Sequence, residues 1–229
     1  MKNLTKFMEP RINIICKVAR KLKGSVRRML DLGCSDGSLT LAIKEACGAE
    51  EVYGIDIDAN TLKIAQQRGI KVFCINLDQG QLPFKDQTFC LVSMCGLLEF
   101  LDNPDNVIAE SHRVLRKGGF LLLHARNLAN WANRLSLLLG FQPYGVRASS
   151  KIGGLGLLLR EEPLSSVKNH CAFTLKALLE LLRYYDFNVV DIKGACGVNP
   201  QKFPIKLVDR LVSWTPSLAR NVIVLAVKK

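Results

Sequence analysis

The residues best placed to do chemistry cluster in one stretch, 29–40 (MLDLGCSDGSLT). Met29, Leu30 and Leu32 read as a buried strand, Gly33, Cys34, Ser35, Asp36 and Gly37 as a turn, and Leu39, Leu41, Ala42 and Ile43 as the start of an apolar stripe at helical spacing. Two glycines leave bare backbone at the carboxyl end of a strand, where a ligand's polar edge can approach closely. The spacing Gly33-x-x-x-Gly37 lacks the third glycine of the dinucleotide fingerprint, which disfavours a nicotinamide or flavin dinucleotide. A tight strand-to-helix turn also needs glycine for geometry alone. The next apolar run, 51–55, ends in Asp56, an acid about 20 residues past the turn, where a carboxylate can accept hydrogen bonds from both hydroxyls of a ribose.

Around this stretch the chain alternates strand and helix, the pattern of an α/β fold. Residues 58–68 read as a helix and 70–75 as a buried third strand; 89–94 is the fourth strand. The turn Lys117-Gly118-Gly119 launches a fifth strand over 120–124, and 175–185 is a helix with Thr174 as its N-cap. Strands over 187–193 and 221–227 and a helix within 204–216 complete the chain, with Lys228 and Lys229 an exposed tail. The 229 residues, 48% hydrophobic, fit one globular domain with a substantial core, spanning 1–229. The eight cysteines form no C-x-x-C pair and mostly sit in apolar runs, so they read as reduced core thiols of a cytoplasmic protein, with no zinc site and no disulfide framework. No signal peptide is evident, and the apolar stretches fall short of the roughly 20 residues of a spanning helix.

The net charge of +12 is concentrated at the ends. Residues 1–30 hold nine Lys or Arg against Glu9, and residues 201–229 hold six against Asp209, leaving a nearly neutral body. Within the basic N-terminal region, 1–27, Ile12, Ile15, Ala19 and Leu22 recur at helical spacing while Lys17, Arg20 and Lys21 fall elsewhere on the wheel. A helix packed on the sheet with a solvated basic face explains this; peripheral contact with an anionic membrane and contact with RNA phosphates stay open beside it.

DLGCSDG, YGIDID, NLDQGQLPF, FCLVSMCGLLEFL and RVLRKGGFLLL together resemble the class I S-adenosylmethionine-dependent methyltransferases of the type 11 group, from Arg28 to about Arg134. HARNLANWANRLSLLLG and NHCAFTLKALLELLRYYDF resemble more loosely the methionine-biosynthesis W proteins and related small methyltransferases. The resemblance implies a Rossmann-like three-layer sandwich with a seven-stranded, mostly parallel sheet, the seventh strand antiparallel between the fifth and sixth. It implies S-adenosyl-L-methionine as cofactor, with Gly33, Cys34, Ser35 and Gly37 around its methionine portion, Asp31 and Asp36 orienting its amino group, and Asp56 on the ribose. Ser35 stands where the family usually has glycine. Ile57 and Leu77 would sandwich the adenine, whose amino group would meet Asn76 or Asp78, two alignments that both stay open; Cys95 and Leu97 would line the donor side of the acceptor site. No metal is implied.

For the acceptor, Glu99 could position an amine or hydroxyl, or instead begin a helix as a dipole partner; Phe100 replaces the family's histidine. His170, in the His-x-x-Phe-Thr context of the related small methyltransferases, is carried over as a substrate-facing base, beside a structural reading in which it bonds a lid. Asn127, Asn130, Trp131, Asn133 and Arg134 could hold a polar substrate, or Asn127 could cap a helix with Trp131 in the core. The interruption over about 135–170 looks like a lid whose leucines and glycines suit an apolar or lipid-linked acceptor. These residues favour methyl transfer to a small-molecule or lipid-linked acceptor. A non-catalytic methyltransferase-fold partner in methionine biosynthesis and an RNA-directed methyltransferase are the alternatives.

Overall fold

Seven strands form one sheet in the order β3-β2-β1-β4-β5-β7-β6. They are β1 (Arg28–Leu32), β2 (Glu51–Asp56), β3 (Lys71–Cys74), β4 (Phe89–Cys95), β5 (Leu115–Arg126), β6 (Phe187–Ala195) and β7 (Asn221–Lys228). The helices are α1 (Pro10–Arg20), α2 (Ser38–Cys47), α3 (Ala59–Gln67), α4 (Pro104–Val114), α5 (Trp131–Leu138), α6 (Leu175–Tyr184) and α7 (Ile205–Val212). The computed structural model describes residues 10–146, 148, 149, 151, 154–158, 170–197 and 205–229. Strands β1 to β5 pair in parallel, and β7 runs antiparallel to both β5 and β6, as the family resemblance implies.

Alternation along the strands builds the three layers. Met29, Leu91 and Leu122 face a core shared with Ile15 and Ala19 of α1 and Ile43 and Cys47 of α2. Their neighbours Leu30, Val92 and Leu121 face the opposite core, with Val107 and Ile108 of α4 and Leu178 and Leu182 of α6. The chain runs outward from β1 through β2 to β3 and returns to β4 on the other side of β1, so a crevice opens at the carboxyl ends of β1 and β4.

Several expectations shift. The third strand is an edge strand with Lys71 and Cys74 exposed, so only its inner neighbour shields it. The Lys117-Gly118-Gly119 turn lies within β5, which begins at Leu115 and makes an irregularity opposite Phe89 to Leu91. A Cβ at Gly119 would lie 2.8 Å from the Arg116 carbonyl oxygen, so that kink requires glycine. Lys228 is no exposed tail: its ammonium donates to the carbonyls of His112 (2.6 Å) and Leu115 (2.8 Å) at the end of α4, where a cation suits the helix dipole. The lid-like stretch 135–170 contains the end of α5 and a bridge between Gln142 and Leu157; residues 147, 150, 152, 153 and 159–169 lie outside the described residues, as do 1–9 of the basic N-terminal region.

Candidate functional site

The turn after β1 is held in left-handed backbone at Gly33 (φ 75°), Ser35 (φ 49°) and Gly37 (φ 77°). The Gly33 and Cys34 amides donate to the Ile55 carbonyl at 2.8 and 3.0 Å, and the Ser35 amide donates to Asp56 Oδ2 at 2.8 Å. The turn is thus clasped to the end of β2, and Asp56 is fixed in place by it; Asp56 Oδ1 also accepts from the Asp58 amide at 3.1 Å. A Cβ at Gly33 would press Leu97 Cδ1 at 3.1 Å, and one at Gly37 would collide with Ile70 Cδ1 at 2.4 Å. Ser35 holds a conformation that L-residues adopt at a cost of roughly 1–2 kcal/mol, which accounts for glycine in the family at that place.

The acids before and within the turn each bond the protein itself. Asp31 is buried, and its two oxygens accept from the hydroxyls of Ser93 (2.6 Å) and Thr40, joining β1 to β4 and α2. Burial lifts its carboxyl from 3.8 to about 6, against the pull of the two hydroxyls. Asp36 accepts from the Ser38 amide (3.0 Å) and hydroxyl (2.8 Å) and pairs with Arg68 (2.9 Å). Burial raises its carboxyl, but the bonds from Ser38 and Arg68 outweigh that and hold it below its ordinary value. Both side chains thus carry structural bonds, Asp31 bracing β1 against β4 and α2 and Asp36 holding the first amide of α2. Cys34 is buried, its thiol pushed up to about 12 by burial and by the nearby Asp31 and Asp56 carboxylates. Its sulfur fills the space where a Cβ at Gly54 would stand, 2.6 Å away, so it contributes backbone and packing, not a reactive thiolate.

At the adenine end, Ile57 is 66% exposed beside Asp56. Leu77, paired with Ile57 in the sequence reading, is buried against the core. Asn76 Oδ1 accepts from the Asp78 amide at 3.0 Å, and Asp78 Oδ1 accepts from the amides of Asp102 (2.8 Å) and Asn103 (2.9 Å), bracing the loop before α4. Both side chains lie on the same loop, each with one oxygen engaged.

On the acceptor side, Cys95 ends β4; burial pushes its thiol well up, with Asp31 adding to the rise and Arg11 opposing it. Leu97 lies against Gly33. Glu99 sits in the short 3-10 turn Leu98–Phe100 and is 3% exposed. Its Oε1 accepts from the Arg126 amide at 2.6 Å, while Oε2 is buried with no hydrogen-bond partner. A buried carboxyl oxygen without a partner is costly. The Glu99 carbonyl accepts from the His170 amide at 2.7 Å, and the His170 ring pairs with Asp102, so the two predicted acceptor-side residues are brought together through backbone.

The polar cluster after β5 is structural. Asn127 donates to the carbonyls of Ser217 and Ala219, both at 3.0 Å, and Asn130, not Asn127, caps α5 by accepting from Ala132 and Asn133 amides. Asn133 bonds Leu128 and Tyr144, Arg134 bonds the Ala129 carbonyl, and Trp131 Nε1 donates to Asp209 at 2.9 Å. Sequence reasoning missed His124 and Arg11. His124, buried at the end of β5, bonds Asn221 Oδ1 at 3.3 Å, and a Cβ at Gly96 would lie 3.7 Å from its Nδ1. Burial, with Arg11 nearby, lowers its imidazole to about 4, so it is neutral near pH 7. The field of Arg11 from α1 reaches both Cys95 and His124. No periodicity placed that arginine there; only the docking of α1 on the sheet did.

Residues 30–123 match the family model of a methyltransferase domain. Demethylmenaquinone methyltransferase of Geobacillus kaustophilus is 37% identical over 99 residues, covering 41% of this chain and 42% of that protein. The chain spans less than half the length of the curated relatives it matches. Among solved structures, an S-adenosylmethionine-dependent methyltransferase from Mesorhizobium loti superposes with TM-score 0.60 at 18% identity, covering 93% of this chain and 95% of that one. The [4+2]-cyclase SpnF superposes with TM-score 0.61 at 20% identity over 95% and 80% of the two chains, so the shared fold alone names no reaction. The glycine turn and the acid closing β2 lie within the stretch that matches the methyltransferase-domain model, and the solved S-adenosylmethionine-dependent methyltransferase shares the fold of the whole chain.

Proposed function

We propose that the chain transfers a methyl group from S-adenosylmethionine to an apolar, small-molecule or lipid-linked acceptor. The observation that carries this reading is the clasp between the left-handed glycine turn and Asp56, which leaves bare backbone beside a fixed carboxylate at the switch point of the sheet. Each carboxylate oxygen of Asp56 has a lone pair beyond the backbone bond it already accepts, which is what two ribose hydroxyls require. Gly33 and Gly37 let the turn take its left-handed form packed against Leu97 and Ile70, and exposed Ile57 offers an apolar face to the base. These residues fit the cofactor. Bound, S-adenosylmethionine supplies a methyl group already activated by its sulfonium.

The chain's own task is then alignment, exclusion of water and, where the acceptor carries a proton, its removal. Glu99 suits that last role. Its partnerless Oε2 can accept a hydrogen bond or proton from an acceptor hydroxyl, while the Arg126 amide fixes the other oxygen. His170, joined to Glu99 through backbone and to Asp102 through its ring, is the second acceptor-side group. The name of the Geobacillus relative, a demethylmenaquinone methyltransferase, directs the acceptor class toward an apolar ring compound.

Calorimetric titration of the purified chain with S-adenosylmethionine and S-adenosylhomocysteine, beside an Asp56→Ala variant, tests the reading. Saturable one-site binding, weakened in the variant by about 1–3 kcal/mol as for a lost charged hydrogen bond, supports it. Absence of binding by both compounds refutes it.

A further inference from the structure

Two neighbouring helices beside the carboxyl end of β5 are turned inside out. In α5 the buried side chains are Asn133 and Ser136, while Leu137 and Leu138 are 58% and 82% exposed, followed by exposed Leu139. In α7, among the described side chains, Asp209 is the buried one, while Leu207 and Leu211 are 48% and 65% exposed and Trp214, just past the helix, is 87% exposed. Leu207, Leu211 and Trp214 stand four and three residues apart, along one face. An ordinary surface helix shows the reverse arrangement.

The inverted setting is fixed by polar bonds. Asp209 accepts from Trp131 Nε1 (2.9 Å) and Arg220 Nε (2.8 Å) through one oxygen and from the Gly197 amide (2.8 Å) through the other. Asn133 bonds the Leu128 and Tyr144 carbonyls and the Tyr144 amide. The Trp131 amide donates to the Leu218 carbonyl at 3.0 Å, tying α5 to the segment after α7. Neither helix can roll its leucines inward without stranding these buried groups.

We infer that this surface docks on an anionic lipid bilayer. Its charge selects that occupant. The chain holds no Asp or Glu from Arg126 to Arg160, and from 201 to 229 its one acid is Asp209, buried and paired with Arg220. Arg134 of α5 and Arg210 of α7 are exposed, and Arg134 bonds only neutral carbonyls, so its charge stays available to headgroups. A second copy of the chain would bring the same cations against this face and be repelled. Leucines beside an exposed tryptophan, flanked by arginines, are what an in-plane, interfacial binder presents. No helix among the described residues is long and apolar enough to cross a membrane, which fits a surface contact. Docking does not depend on methyl transfer; it would bring the carboxyl edge of the sheet to a lipid-linked acceptor.

The experiment is flotation of the full chain with vesicles of phosphatidylcholine alone and of phosphatidylcholine with phosphatidylglycerol. Leu138→Glu with Leu211→Glu is compared with wild type, and Trp214→Ser serves as a second variant. Circular dichroism checks the fold of both, and S-adenosylmethionine calorimetry separates loss of docking from loss of the cofactor site. Flotation with the anionic vesicles, a blue shift of Trp214 fluorescence, and at least about a tenfold loss of vesicle affinity in the double variant support the inference. Absence of flotation, or flotation that both variants retain, overturns it. A wild-type dimer in sedimentation that the double variant abolishes, without vesicle binding, also overturns it and gives the face to a second copy.

Discussion

Asp31→Asn tests whether the first acid of the glycine stretch is a brace or a ligand group. The folded chain holds the Asp31 proton up to about pH 6, whereas the ordinary value is 3.8. The folded state therefore binds more protons than the unfolded one across that window, and stability falls as pH rises through it. Above pH 6 the full penalty of ionising a carboxyl buried between Ser93 and Thr40 is present, about 3 kcal/mol from the size of that lift. Asparagine is neutral and nearly isosteric. Its oxygen accepts from one hydroxyl and its amide donates to the other once that hydroxyl rotates. Urea unfolding is expected to show the variant more stable than wild type by up to about 3 kcal/mol at pH 7.5, with the difference vanishing near pH 4. His124, lowered to about 4 by burial, acts in the opposite sense: its contribution is present above 6.5 and lost as pH falls toward 4. It is common to both proteins and cancels in the difference. A variant no more stable than wild type at pH 7.5, or a difference independent of pH, refutes the argument. Unchanged affinity for S-adenosylmethionine in calorimetry supports the brace; a tenfold or larger loss, on the order of 1.4 kcal/mol, returns Asp31 to the ligand.

Two further substitutions address the turn and the acceptor side. Gly37→Ala places a Cβ 2.4 Å from Ile70 Cδ1 at φ 77°; it is expected to cost roughly 2–4 kcal/mol in urea unfolding, from left-handed strain and overpacking together, and a loss below about 1 kcal/mol would contradict the geometry. Glu99→Gln keeps the acceptor for the Arg126 amide but removes the carboxylate. With tritiated methyl donor and a membrane lipid extract, label entering the organic phase is expected to drop about a hundredfold, with donor binding unchanged; undiminished transfer removes Glu99 as the proton acceptor.

The fold and the cofactor turn were readable in the chain because both are written locally. Strand-to-helix switching across Gly33 and Gly37, an acid closing the next apolar run, and Thr174 ahead of α6 depend on neighbours a few residues away. Side-chain partners across the sheet carry no such signature. The bonds of Asp31 to Ser93 and Thr40, those of Asp36 to Ser38 and Arg68, and the packing of Leu77 in the core were not legible in the sequence. Asn127 through Arg134 resembled a substrate site, yet their amides and guanidinium are consumed by carbonyls more than 80 residues away as well as by near ones.

By itself, then, the sequence determined the α/β class, the parallel sheet with its final antiparallel strand through family resemblance, and the place of the turn. Hydrophobic period and glycine position are properties of short segments. Tertiary structure alone decided that Glu99 keeps one buried oxygen unpartnered, that Arg11 reaches the ends of β4 and β5, and that α5 and α7 point leucines outward. Each follows from distant elements meeting, and an amphipathic pattern states only that a helix has two faces, not which of them the rest of the chain will satisfy.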